Sequence, residues 1–300
     1  MTGTDTSAGH CDATQAARAA HAAEQTRLHG AAETSGDMGL LMDSLAAEGP
    51  YAWMVMPQVL PDGGVSLPFQ TTRDAVHDMY EGIERVRALR SITALTDLRG
   101  EWYTFLDCIS RSEHRATGRA GATQAIALFP SAAGPGLTGE LCWVRTPRSV
   151  LGDQPPAGVP DDEPDPTLAR EQLLADHDRY LEAFRLGDVD GALDVLHHRA
   201  SSVVADVAGD GGLVAIEGHH AHRSHLEAFF ATYEVRDVQP LDRVTEDWYL
   251  FAEVRVTVVA KGGVGSPELV FHTADMLVPA NDGRIIVRLG VATRPLPTLA

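Results

Sequence analysis

Residues 101–107 read EWYTFLD and residues 247–253 read DWYLFAE. An acid, a Trp-Tyr pair, a Phe and a second acid recur at the same spacing. Two further echoes keep the same order. Asp62-Gly63-Gly64 returns as Asp210-Gly211-Gly212, and GDMGLLMDSL from Gly36 returns as GDVDGALDVL from Gly187. The offsets are 146, 148 and 151 (248 − 102, 210 − 62 and 187 − 36). Collinear matches that drift by a few residues are what small insertions leave in a duplicated domain, and the period is far too long for a solenoid. This duplication constrains the fold more than any other feature. Each half must bury its own core, and each is long enough to do so.

The seam between the halves is LGDQPPAGVPDDEPDPT, Leu151–Thr167, with five prolines and a run of acids. Proline lacks a backbone donor and fixes φ, so this stretch suits neither a sheet nor a helix interior. The expected organisation is a domain over 1–150, a semi-extended linker over 151–166 and a second domain over 167–300.

Charge narrows the function. A formal net charge of −18 and a pI near 5.0 disfavour phosphate backbones, so nucleic acid is not an expected partner. The three cysteines (Cys11, Cys108 and Cys142) are odd in number and have no metal-ligand spacing, which suggests a reducing cytoplasm without disulfides or a zinc ribbon. MTGTDTSAGH has no basic cluster and no apolar core, so it does not read as a secretory signal, and no apolar run reaches membrane-spanning length.

The pattern predicts the same element order twice. In the second half, Leu168, Leu173, Leu174, His177, Leu181 and Phe184 share a helical face over 166–186. Gly187 stops that helix and Asp188 caps a short one over 189–197. A β run (SSVVADV), a helix over 219–231 and strands over 233–244, 247–260, 268–279 and 284–292 follow, with Asn281-Asp282-Gly283 as a tight turn. The first half repeats this with helices over 12–33, 38–47 and 73–87, a β run (AWMVMPQV) and strands over 89–99, 102–113, 121–131 and 138–146. Helices followed by a run of antiparallel strands indicate an α+β fold.

RYLEAFRLGDVDGALDVL, the SVVAD strand, the IEG turn into a helix and HTADMLVPANDGRIIVRLGV resemble a SnoaL-like domain of the nuclear transport factor 2-like superfamily. That group includes ketosteroid isomerases, polyketide cyclases and epoxide-opening cyclases. The resemblance covers about 165–293, and more weakly 12–147. It implies two tandem cones, each a curved, mostly antiparallel sheet wrapped by three helices around an apolar pocket. It also implies sheet-to-sheet pairing of such domains. One chain would do this internally as a pseudo-dimer, serving as a monomer, or two chains would do it as a homodimer.

The resemblance also points to residues. Asp206, ending SVVAD, matches the place of the proton-shuttling carboxylate of ketosteroid isomerases. Asp275 matches the protonated acid of their oxyanion hole, and Tyr180 the helix tyrosine beside it. Glu234 stands near the second acid of epoxide-opening cyclases. A carboxylate in an apolar cone has a raised pKa, so two can divide into a base and a neutral donor. Asp206 could instead shape the turn after it, Asp275 could face solvent, and Tyr180 could be plain packing. In the first half the corresponding places hold Gln58 and His29, and QAIALFP (124–130) has no acid, so that pocket is expected to lack the pair. The histidines of GHHAHRSH (218–225) have no acid at zincin spacing and read as a polar helix start rather than a metal site.

The leading reading is a cofactor-independent acid–base enzyme (isomerase, cyclase, dehydratase or epoxide-opening) acting on a small hydrophobic or polycyclic substrate in the second domain. The competing reading is a non-catalytic tandem module that binds a ligand or a protein. A small subunit supporting an oxygenase is a third.

Overall fold

The computed structural model describes residues 7–55, 57–59, 65–130, 135–145, 166–206, 213–262, 266–280 and 282–293. The seam over 151–165, both Asp-Gly-Gly echoes and Asn281 lie outside them. The chain divides into two compact units, Met1–Met56 with Pro68–Ala157, and Pro57–Leu67 with Gly158–Ala300.

Unit 1 contains α1 (Ser7–Ser35), α2 (Met38–Asp43), β1 (Ala52–Met54), α3 (Arg73–Val86) and four long strands: β4 (Arg87–Arg99), β5 (Tyr103–His114), β6 (Ala120–Pro130) and β7 (Gly139–Arg145). A hairpin of two short strands, β2 (Gln58–Val59) and β3 (Val65–Ser66), counts with unit 2. There Ser201 donates to the Val65 carbonyl at 3.3 Å. Unit 2 continues with α4 (Pro166–Leu186), α5 (Val189–Asp194), β8 (Leu196–Asp206), β9 (Leu213–Glu217), α6 (Gly218–Thr232), β10 (Tyr233–Thr245), β11 (Leu250–Ala260), β12 (Glu268–Pro279) and β13 (Ile285–Ala292).

The sheet orders are β1-β7-β6-β5-β4 in unit 1 and β10-β11-β12-β13-β8-β9 in unit 2. Apart from the extra edge strand β9 these are one topology. In each, four antiparallel strands are closed by a first strand that runs parallel to the last. The duplication reaches single residues. Two bulges break the β4–β5 ladder at Leu89/Ser91 and Ala94/Thr96, and two break β10–β11 at Val235/Asp237 and Pro240/Asp242. Both pairs differ by 146 (235 − 89 and 240 − 94), the offset of the Trp-Tyr echo. A bulge bends its strand and increases local twist, so the paired bulges curve both sheets at the same points.

The helix ends are also shared. Gly36 and Gly187 have φ of 67° and 70°, the left-handed region that favours glycine. Each closes the first helix of its unit. The next residue caps a six-residue helix: Asp37 accepts from the Leu40 N–H at 3.1 Å, and Asp188 from that of Gly191 at 3.0 Å. α5 is shorter than its apolar pattern suggested, because Leu196–His198 already belong to β8, with Leu196 in register with Ile285. Sheet pairing takes these residues from the helix.

The Trp-side positions of β11 (Leu250, Ala252, Val254 and Val256) are buried as expected. They pack with Leu226, Phe229, Phe271, Leu277 and Ile285. In unit 1 the helices cover Trp53, Val76, Tyr80, Ala125, Ala127 and Phe129. Among the described residues no helix is long and apolar enough to cross a membrane.

A β-carbon in the left-handed region costs roughly 1–2 kcal/mol. Gly36→Ala and Gly187→Ala should therefore each lower stability by about that amount, measured by urea unfolding. Gly118→Ala, also at positive φ but in an open turn, provides the strain-only comparison. A much larger loss at Gly36 or Gly187 would show that the helix stop also fixes packing.

Candidate active site

Each unit encloses a pocket between its first helix and the concave sheet. The unit 1 pocket has an empty volume of about 950 Å³, including the open space at its mouth. Its walls include Leu41, Val55, Ile83, Leu106 and Phe129, with Tyr80, Glu33 and Glu140 among them. Glu33 projects from the last turn of α1, and Glu140 from β7. The first half therefore does hold two carboxyls on its pocket wall, Glu140 buried and Glu33 half-buried, contrary to the expectation that its pocket lacks an acid pair. They do not occupy the expected places, since QAIALFP is β6 and carries none.

The hydrogen bonds fix the protons. Tyr80 donates to Glu140 Oε2 at 2.6 Å. The Trp53 indole N–H can only donate, and it reaches Tyr80 Oη at 3.1 Å. His29 Nε2 lies 3.1 Å from the same oxygen. Because the phenol's one proton goes to Glu140, His29 Nε2–H is a donor here. Ser44 gives its proton to the Leu41 carbonyl at 2.6 Å, so His29 Nδ1–H donates to Ser44 Oγ at 2.7 Å. Both ring nitrogens donate, and His29 is an imidazolium. It is fully buried (0 % exposed) with the rings of Trp53, Tyr80 and Phe129 edge-on around it.

The charges agree with this. Burial disfavours the His29 cation, but the nearby carboxylates of Glu140 and Glu33 outweigh it and raise its pKa. His29 Nε2 is 3.6 Å from Glu140 and 3.9 Å from Glu33. Burial and the neighbouring Glu140 charge push the Glu33 carboxyl up to about 7. Glu33 thus exchanges a proton near neutrality while Tyr80 and His29 hold Glu140 as an anion. Burial raises the Tyr80 hydroxyl well above its ordinary value and pushes the Cys108 thiol up to about 12. Cys142 is also raised by burial. The cysteines are wall, not nucleophiles.

His29, Glu33 and Glu140 also bring three ligand atoms within 4.8 Å of one another. A divalent ion would need a lone pair on His29 Nε2, the nitrogen that donates to Tyr80. The hydrogen bonds are those of a proton-bridged cluster.

The unit 2 pocket has an empty volume of about 840 Å³, including the open space at its mouth. Tyr180 and Asp275 both line it, as the resemblance implied, but through a residue the sequence reading missed. Arg288 on β13 donates from Nε to Asp275 Oδ1 at 2.8 Å and from Nη2 to Oδ2 at 3.0 Å. It also donates from Nη1 to Tyr180 Oη at 3.4 Å. Thr273 gives its hydroxyl proton to Asp275 Oδ2 at 2.9 Å. Three donors on two oxygens hold Asp275 as a carboxylate, not the neutral donor expected from the resemblance. Gly290 faces Asp275 across the ladder, and a β-carbon there would fall on Asp275 Oδ1.

Asp206 and Glu234 are not among the residues lining this pocket. Asp206 ends β8 opposite Ala292. Glu234 is exposed on β10 and pairs with Arg236 at 2.6 Å. Of the GHHAHRSH histidines, His222 and His225 line the pocket. His222 donates from Nδ1 to the Gly218 carbonyl at 2.8 Å and is 2.7 Å from Ser202 Oγ. His219 bonds the Leu196 carbonyl at 2.9 Å.

Register relates the two sites. Leu128 pairs with Leu141, and Met276 with Leu289, both at an offset of 148 (276 − 128 and 289 − 141). Glu140 therefore stands where Arg288 stands, and Ala127 where Asp275 stands. By the helix offset of 151, His29 takes the place of Tyr180 and Glu33 that of Phe184. GELCWVR signals Glu140: one acid inside an otherwise apolar strand. Glu33 gives no comparable signal in its Ala-rich helix.

No family model matches the sequence, and no curated protein matches it. Solved structures similar to this chain include a candidate polyketide cyclase from Xanthomonas campestris pv. campestris, 21% identical over 41% of this chain and 91% of that one, TM-score 0.32. Another is a ketosteroid isomerase-like protein from Erwinia carotovora atroseptica SCRI1043, 15% identical over 42% and 97%, TM-score 0.34. A third is a candidate SnoaL-like polyketide cyclase from Jannaschia sp. CCS1, 13% identical over 45% and 91%, TM-score 0.35.

The raised groups make stability depend on pH. Folded Glu33 and His29 both hold their protons more tightly than the unfolded chain does. Their contribution is complete below the unfolded carboxylate pKa of 4.5 and is lost as pH rises through about 7 for Glu33 and past 6.5 for His29. Urea unfolding should show unit 1 losing on the order of 2 kcal/mol between about pH 5 and pH 8. Glu33→Gln should flatten that slope. An unchanged slope in the variant would place the titration elsewhere.

Proposed function

We propose that the chain is a cofactor-independent acid–base enzyme whose chemistry lies in the unit 1 pocket. Glu33 shuttles the proton, and Glu140, Tyr80 and His29 are the fixed electrostatic frame around it. The observation that carries this reading is the carboxyl pair Glu33/Glu140, with the half-buried Glu33 poised near pH 7 on the wall of an apolar pocket. A general base works best when its pKa lies near the operating pH.

Glu33 takes a proton from the substrate carbon or hydroxyl, and its loss of charge relieves the repulsion from Glu140. The same carboxyl returns the proton at a second position. Glu140 stays in place through this cycle, hydrogen-bonded by Tyr80 and facing the imidazolium. Val55, Phe129 and Leu106 keep water from competing. Isomerisation, cyclisation, dehydration and epoxide opening share this step, and the apolar wall suits a small hydrophobic or polycyclic substrate.

Elimination of 5-nitrobenzisoxazole reports a base in an apolar pocket without knowledge of the natural substrate. The expected rate rises with pH through about 7, the value of Glu33. Glu33→Gln should cost at least about 100-fold, the lower end of general-base contributions. Asp275→Asn in unit 2 should leave the rate unchanged. Activity that survives Glu33→Gln and disappears in Asp275→Asn would return the chemistry to the second half. A rate that depends on added Mn²⁺ or Zn²⁺ and disappears with chelator would replace the proton cluster with a metal centre.

A further inference from the structure

The unit 2 pocket holds a half-buried guanidinium that its partners do not exhaust. Arg288 directs three of its five N–H groups to Asp275 and Tyr180. It keeps 22% of its side-chain surface open, although apolar residues surround it. Tyr180 accepts from Arg288, and among the described residues its own hydroxyl proton has no acceptor. Two donors, a guanidinium N–H and a phenol O–H, therefore stand side by side on the wall of a pocket whose apolar lining includes Phe184, Leu226, Phe229, Val254 and Phe271. His177 on α4 is 3% exposed, lines the same pocket and leaves Nδ1 without a hydrogen-bond partner.

We propose that unit 2 is a binding site for an apolar or aromatic molecule ending in a carboxylate, whose two oxygens accept from Arg288 and Tyr180. The fork formed by Nε and Nη2 stays on Asp275, so the ligand carboxylate takes a remaining guanidinium N–H and the phenol O–H, and the ring or chain fills the space between α6 and the sheet. The site is a receptor and not a second reaction centre, because its one carboxylate, Asp275, is already committed to Arg288 and Thr273.

Binding takes up a proton. The titratable and charged groups facing the pocket are His177 and Tyr180 from α4, His222 and His225 from α6, Asp275 from β12 and Arg288 from β13. Burial, followed by the charges of Arg243 and Arg288, pushes His177 down to about 4. Burial also lowers His222 and His225, with Arg288 contributing to both. An anion on Arg288 cancels part of that charge, so a histidine becomes easier to protonate. Affinity therefore rises as pH falls.

Isothermal titration of the full chain with 2-naphthoate tests this, with 2-naphthamide as the uncharged probe. Saturable binding below about 1 mM is expected. It should be several-fold tighter near pH 6 than near pH 8, because bound protons favour the complex. The amide should bind at least about tenfold more weakly, since it lacks the charge-assisted bond. Arg288→Lys keeps the charge but loses the planar guanidinium that can serve Asp275 and the ligand at once, and it should weaken binding about tenfold. Asp275→Asn should bind more tightly, because the guanidinium then has no competing anion. Circular dichroism confirms that these variants fold. Glu33→Gln should bind as the parent does, which places the ligand in unit 2. Absence of saturable binding, equal affinity for the amide, weaker binding by a folded Asp275→Asn, or loss of binding in Glu33→Gln would each overturn the proposal.

Discussion

The hydrogen bond from Tyr80 to Glu140 is the interaction on which the unit 1 site depends. An ionised carboxylate on the inner face of a sheet is several kcal/mol too costly unless it is paired and hydrogen-bonded. Tyr80 supplies the bond, and it can do so only because Trp53 and His29 fill its acceptor positions. His29 in turn donates both ways only because Ser44 gives its own proton to the end of α2. The chain of donors runs from a helix carbonyl to a strand carboxylate and fixes every proton except that of Glu33. A network satisfied at every member is rigid, and of the two carboxyls on the cavity wall Glu33 is the one left adjustable.

Unit 2 meets the same constraint with the charges reversed. The strand position of Glu140 carries Arg288, so the buried charge is a cation, and Asp275 neutralises it from the neighbouring strand. Where unit 1 has an imidazolium on its first helix, unit 2 has a phenol. The backbone that positions these groups is the same to the residue: equal bulge spacing, equal helix stop, equal register between the last two strands. Two sites with different chemistry therefore follow from a few side chains placed on one frame, as expected when function resides in the site and not in the fold.

Most of the frame was legible in the sequence. Gly187-Asp188, the Trp-Tyr echo and the alternation of Leu250, Ala252, Val254 and Val256 each carry a local rule, and each reads through to the structure. The end of α5 was misplaced because apolar spacing over 189–197 fits a short helix and a buried strand equally well, and only pairing with Ile285 decides. The sites were legible in part. Tyr180 and Asp275 do meet in one pocket, but strand alternation cannot show which partner crosses from β13, so Arg288 and the ionised state of Asp275 stayed hidden. Asp206 and Glu234 satisfied a spacing without satisfying a geometry.

The misreading of the first half has a sharper cause. A search for an acid at the place of Asp275 finds Ala127 and concludes that the pocket is empty of carboxyls. Burial energetics ask a different question: which charged residue sits where solvent cannot reach it? Glu140, between Gly139 and Leu141 in a strand of buried residues, answers that from sequence alone, since an acid there must find donors or remain protonated. Glu33 then follows from Glu140. A second carboxyl brought near a committed anion cannot ionise at its ordinary pKa, and the result is a group that exchanges protons at neutral pH. The pair thus arises from one unavoidable burial and its electrostatic consequence, without any carboxylate at the position the resemblance favoured.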